Sequence, residues 1–250
     1  MQQQQDEQTA KLREAEYEFR QKQEEHNQLS QTISELKSRQ SNIDQVQIKI
    51  RSLLCRALSV DESDLPFAGE LLQVRDDEKH WEGAIERLMR NFGLSMLVPD
   101  GYYSRIAEWV NDNHLRGRLV YYRVRDVRSS GLPSLHPDSL VHKIAIKPDS
   151  EFYSWLEQEM AKRFDVACSE TQEQFRREKR AITRNGQIKA AGERHEKDDR
   201  FDLNDRGRFV LGWSNKDKIA ALESRLRKIE TAIADLASIV SDLQKQEKQL

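Results

Sequence analysis

From Ile219 onward the apolar residues step alternately by three and four, through Leu222, Leu226, Ile229, Ile233, Leu236, Val240 and Leu243. Glu247 interrupts the row and Leu250 resumes it. A seam of this period, with no Gly or Pro, predicts one helix of a coiled coil rather than a helix lying on a globule. The N-terminal segment follows the same count less cleanly. Leu12, Ala15, Phe19, Leu29, Ile33, Leu36, Ile43, Ile50 and Leu54 share one register, while Lys22, His26, Gln40 and Gln47 fill its other seam positions. No Gly or Pro precedes Pro66, so a long helical arm is predicted over 1–59. Polar seam residues weaken packing but restrict register, which suits a helix with one specified partner. Should the intervening chain return close to where it left, the two arms would pair antiparallel within one molecule, meeting near Leu54 and Ile219.

Between the arms the period alternates. Strands are predicted at 69–75, 94–98, 118–125 and 140–146, and a last one at 208–212. Helical stripes lie between them: Trp81, Ala84, Ile85, Leu88 and Phe92; Tyr103, Ile106, Ala107 and Val110; Phe152, Trp155, Leu156, Met160 and Phe164. Such stripes are core faces. Asn185-Gly186, set between 181–184 and 187–189, signals a two-residue hairpin. The expected fold class is α/β: a compact domain over 60–213, inserted between two helices, 1–59 and 214–250, that form an antiparallel coiled coil.

Composition sharpens this picture. The chain of 250 residues is 37% hydrophobic and 34% charged, against a usual share of about 45–50% apolar and about 25% charged. Long exposed helices account for that balance. All four Trp and five of the six Tyr fall between 80 and 215, which places the aromatic core in the middle. The formal net charge of −2 gives no global attraction to nucleic acid or anionic lipid, so any such binding must be local. Cys55 and Cys168 are too few for a disulfide framework or a zinc site and are expected to be free thiols. No stretch has the apolar length of a membrane span, and the Gln-rich start is not a signal peptide. A soluble, cytoplasmic protein with no membrane partner is expected.

The motifs of catalysis are missing. The sequence has no G-x-x-x-x-G-K-[ST], G-x-S-x-G, H-E-x-x-H or paired C-x-x-C, so no catalytic, cofactor-binding or metal residue is assigned. The run 193–200 holds His and acids, but its interleaved Lys and Arg indicate a solvated or salt-bridged loop. Two basic concentrations are candidates for double-stranded DNA through its phosphates. One comprises Arg116, Arg118, Arg123, Arg125 and Arg128. Strand alternation would put Arg123 and Arg125 on one face, opposite Tyr122 and Val124. The other comprises Arg176, Arg177, Lys179, Arg180, Arg184 and Lys189. The competing reading of both is ordinary solvated or ion-paired surface.

An α/β insertion in an antiparallel coiled coil resembles the hinge of SMC-type chromosome-organising ATPases. The phrases at 81–87 (WEGAIER), 114–123 (HLRGRLVYYR), 175–183 (FRREKRAIT) and 194–200 (RHEKDDR) resemble the central region of the JetC family. These are the MukB-like SMC subunits of the bacterial Wadjet plasmid-defence system. The resemblance implies a non-catalytic fragment that joins two copies at the hinge of a nucleoid-associated complex. Heads binding ATP and Mg would lie outside this chain, and kleisin, accessory and nuclease subunits would belong to the parent complex, which extrudes DNA loops and leads to plasmid cleavage. The alternative is a condensin-type hinge that chiefly grips DNA. The dimer interface is not assigned from sequence.

Overall fold

The computed structural model describes residues 2–126 and 131–247, with side chains from residue 7. It divides into two compact units, one formed by 1–40 with 216–250 and the other by 41–215.

The first unit is a pair of helices, α1 (Gln2–Lys37) and α7 (Lys216–Glu247). Their cross-links run antiparallel: Gln8 meets Gln246 at 2.8 Å, Glu25 meets Arg225 at 2.8 Å, and Lys37 meets Glu223 at 2.6 Å. Ile33, Leu36 and Leu222 are buried together, with Leu29, Ile219 and Leu226 against them. Ile219 therefore packs with the 29–36 stretch, where the sequence pattern predicted Leu54. The polar seam residue His26 reaches Glu230 at 3.2 Å. Leu250 lies outside the described residues.

The helix predicted to continue to residue 59 stops at Lys37. The Ser38 hydroxyl donates to the carbonyl of Glu35 at 2.6 Å, and the amide of Arg39 closes a tighter turn onto Leu36. Short polar side chains compete with the helical ladder in this way. Ser41 and Asn42 then bond within the inserted unit. Ser41 donates to Glu70 at 2.6 Å, and the Asn42 amide donates to the carbonyls of Leu211 at 3.0 Å and Ser214 at 3.1 Å. The chain's entry into the unit is thus fastened to its exit.

In the inserted unit α2 (Gln45–Leu58) is part of the core and not of an arm, because Leu54 and Cys55 are buried in it, and Ile50 is buried as well. Arg51 is also buried. Its guanidinium meets the Glu70 carboxylate at 2.6 and 3.2 Å, and that carboxylate further accepts the Phe67 amide at 2.9 Å. A buried pair is tolerable when its remaining lone pairs are satisfied in this manner.

The other elements are β1 (Leu72–Val74), α3 (Glu82–Gly93), β2 (Met96–Pro99), α4 (Asp100–Asp112), β3 (Tyr121–Val124), β4 (Ile144–Ile146), α5 (Tyr153–Arg163), β5 (Ala167–Ser169), α6 (Gln172–Arg177), β6 (Ala181–Thr183), β7 (Ile188–Lys189) and β8 (His195–Glu196). Strands β2 and β3 are parallel and joined through α4; β5 and β6 are parallel and joined through α6. β1 and β4 pair antiparallel, and β5-β6-β7-β8 form a four-stranded sheet. The hairpin at Asn185-Gly186 forms with Ile182 opposite Ile188, and Gly186 takes φ +78, the conformation such turns need from glycine. Trp81, Phe92, Phe152 and Met160 are buried in one core, with Trp155 and Phe164 packed against it.

Several local expectations change. The strand expected at 69–75 is confined to 72–74, after a 3-10 turn at 68–70, and 195–196 form a short strand inside the run expected as a loop. Residues 140–143 form a 3-10 turn, and the strand is confined to 144–146. Cys168 lies in a strand the pattern did not indicate. The stretch 208–212 is not a strand: its amides are taken by Glu86 and by the carbonyls of Gly69 and Leu72. Gly69 is obligatory there, since a Cβ would come within 2.6 Å of the Val210 carbonyl.

Candidate functional site

Strand β3 and helix α4 position the first basic group. Arg123, in β3, and Arg125, just after it, both pair with Asp100, at the start of α4; the Arg125 contact is 3.6 Å. Arg123 also lies over the Tyr103 ring, 4.3 Å from its centroid. These contacts, chiefly the hydrogen bond from Arg123, hold the Asp100 carboxyl below its ordinary range. On the opposite face Tyr122 packs near Phe92 and Trp155, with centroids 5.6 and 5.7 Å away. Arg116 and Arg118 belong to the exposed 113–118 turn, and neither makes an ion pair among the described residues. Arg128 lies outside the described residues.

The second group divides more sharply. Lys189, read with the phosphate-binding candidates, is only 5% exposed; its ammonium donates to the Arg176 carbonyl at 2.9 Å. A buried, committed ammonium presents no charge to a surface ligand. Arg180 donates to the carbonyl of Arg163. Arg184 pairs with Glu170 at 2.8 Å and lies 5.6 Å from the ring of buried Trp81, which Lys143 approaches at the same distance. Arg177 contacts Glu178 at 3.3 Å. Arg176 and Lys179 remain exposed, with side chains unpaired among the described residues.

The charged run 193–200 pairs with itself and with α3. Arg194 meets Glu196 at 2.5 Å, Lys197 meets Asp199, and Arg200 meets Asp198 at 2.7 Å, while Arg87 reaches Asp199 at 3.3 Å. The Arg200 hydrogen bond pushes the Asp198 carboxyl strongly down. Alongside runs a crevice of about 370 Å³ lined by Arg87, Arg90, Phe201 and Arg208. Its arginines are engaged: Arg90 with Asp44 at 2.7 Å, and Arg208 stacked 3.4 Å from the Phe201 ring. Among the described residues no group of three or more His, Cys, Asp or Glu is placed to hold a metal ion. No described helix is long and apolar enough to cross a membrane. Both cysteines are free and buried, and burial drives the thiols up, Cys55 to about 11 and Cys168 to about 12.

One exposed surface escaped the sequence pattern altogether. Assigning α2 to an arm concealed its solvent face, where Val46 and Leu53 are 49% and 55% exposed. Their seven-residue spacing, offset from the seam, was the available signal.

No protein-family model matches the chain, and no curated protein does. Among solved structures it is similar to the Geobacillus stearothermophilus SMC hinge domain, solved as an asymmetric dimer (TM-score 0.49, 16% identity, 98% of both chains covered). It is also similar to the Pyrococcus furiosus Smc hinge domain with an extended coiled coil (TM-score 0.44, 15% identity, 99% of this chain and 90% of that one). A third similarity is to the folded elbow of cohesin (TM-score 0.50, 15% identity, 99% of this chain but 35% of that one). At this identity the likeness is one of fold.

Proposed function

We propose that the chain is the hinge of an SMC-like ATPase and that it joins two copies of its parent subunit. The observation that carries this reading is the clamp at Asn42. One side chain ties the start of the inserted unit to its end, as an insertion between two paired helices requires. A module of this kind is read as working by association. The fold likeness to cohesin supports it, and the phrases shared with the JetC family support a Wadjet-type parent. Such a parent would pair this hinge with ATP- and Mg-binding heads and with kleisin, accessory and nuclease subunits, in a nucleoid-associated complex that leads to plasmid cleavage. Sedimentation of the 250-residue chain tests the core of the proposal: a dimer mass is expected, and a stable monomer would reject it.

Arg176 and Lys179, exposed and unpaired, favour a second reading in which the hinge also contacts duplex DNA. Changing both to Glu should lower the log–log salt slope of binding by about two units if each meets one phosphate. Anisotropy of a labelled duplex measures this, and an unchanged slope removes these residues from the interface.

A further inference from the structure

Helix α2 carries an apolar strip on its solvent side. Val46 and Leu53 stand two turns apart on one face, about half exposed. Lys49 and Arg56, both exposed, fall beyond Leu53 on the helical wheel and form one flank. The 113–118 turn forms the other. A Cβ on Gly117 would lie 2.8 Å from Val46 and 3.2 Å from Ile50, and the Gln47 amide donates to the Arg118 carbonyl at 3.3 Å. That turn brings exposed Arg116 and Arg118 beside the strip, with Arg116 held at φ +49, a left-handed conformation that non-glycine residues seldom adopt. None of these four cations has an acidic partner among the described residues. Arg51, Arg123, Arg163 and Arg184 of the same unit each have one.

We propose that α2 and the 113–118 turn form a docking strip for an acidic amphipathic helix of a partner protein. The charge pattern selects this occupant. Cations line both flanks, so the ligand must be anionic along both edges. Two large aliphatic side chains occupy the middle, so it must also offer an apolar ridge. A helix with Leu-type anchors at i, i+3 or i+4, and i+7, and carboxylates elsewhere, supplies both. A DNA backbone supplies only the first.

The test uses the full chain and a labelled synthetic peptide with Leu along one helical face and Glu on the others. Controls are the same residues scrambled, so that Leu falls on all sides, and a short DNA duplex. Saturable anisotropy is expected for the amphipathic peptide and not for the scrambled one. Leu53→Ser should weaken it about fivefold or more, as should Lys49→Glu with Arg56→Glu. Val46→Ser serves as a second surface change, and circular dichroism confirms folding of every variant. Absence of saturable binding, equal binding of both peptides, or indifference to Leu53→Ser and Val46→Ser overturns the proposal. So does duplex binding that displaces the peptide and responds only to Arg116→Glu and Arg118→Glu, which would make the strip a phosphate surface. A chain whose dimer mass is lost on Leu53→Ser also overturns it, because a second copy would then be the occupant.

Discussion

Glu86 sits on the inward side of α3, 5% exposed, and its carboxylate oxygens accept the amides of Val210 and Leu211, each at 2.9 Å. Those contacts replace the strand pairing that Arg208-Phe209-Val210-Leu211 suggested. A pattern of apolar residues indicates that a segment is buried, and here a distant carboxylate decides how its backbone is satisfied. Glu86→Ala leaves two buried amides unpaired and should lower stability by about 2–4 kcal/mol in urea unfolding, with Glu86→Gln costing less. A loss below half a unit of that scale would mean water takes over the amides. The thiols make a separate prediction. Both have folded values raised above their ordinary 9, so the unfolded chain ionises first. Their contribution to stability is intact below pH 9 and is withdrawn as the pH climbs toward 11 and 12. Replacing both cysteines with Ala should flatten the alkaline fall in stability relative to the parent chain; identical slopes would show that the thiols are hydrated. The same burial explains why two cysteines that the sequence marks only as unpaired should resist alkylation at pH 8 until the chain opens.

At the scale of elements, the segments with a strong local cause were the legible ones. The aromatic stripes became α3, α4 and α5, and Asn185-Gly186 became the β6–β7 turn. Strand β5 was not legible because Ala167-Cys168-Ser169 has neither β-branched nor aromatic residues, and its place depends on pairing with β6. The break after Lys37 escaped for a different reason. Leu36, Ile43 and Ile50 keep heptad spacing across the interruption, so counting the seam cannot see it; the Ser-Asn cluster at 41–42 was the weaker signal that mattered. Of the basic candidates, Arg123 and Arg125 share the partner Asp100 although Arg125 lies past the end of β3, and the commitments of Arg180, Arg184 and Lys189 depend on tertiary neighbours that no local pattern records. For the arms the consequence is measurable. Cysteines in place of Lys37 and Glu223, whose side chains meet at 2.6 Å, should be joined by a short bis-maleimide into a product of monomer mass. Cys55 and Cys168, being buried, should add little background. Products only of doubled mass at low concentration would place the helix pairing between chains.

At the scale of the molecule, the question is which unit would make the proposed dimer. The apolar seam of the arms is taken up by their own pairing, and only Tyr17 and Ile239 are large apolar side chains markedly exposed on them among the described residues. Ile33, Leu36, Leu222 and Ile229 are buried, and the seam runs between α1 and α7 of one chain. Self-association through the seam would require opening that pairing. The inserted unit, by contrast, has its own core and carries exposed surface that its fold does not consume, and a specific two-fold contact needs at least about 1,000 Å² of it. The prediction is therefore that residues 41–215 alone dimerise. The cut matters. Trimming at residue 60, as the heptad pattern recommends, removes α2 and with it Leu54, Cys55 and the Arg51 partner of Glu70. Losing a buried helix and one half of a buried ion pair should prevent folding, so a fragment 60–215 would test nothing about association. Sedimentation equilibrium and thermal melting of both fragments separate the possibilities. Residues 41–215 should melt cooperatively and sediment as a dimer, while 60–215 should show no cooperative transition. If the whole chain proves dimeric while 41–215 is folded and monomeric at the same concentration, the contact lies on the arms, and the proposed hinge role moves with it.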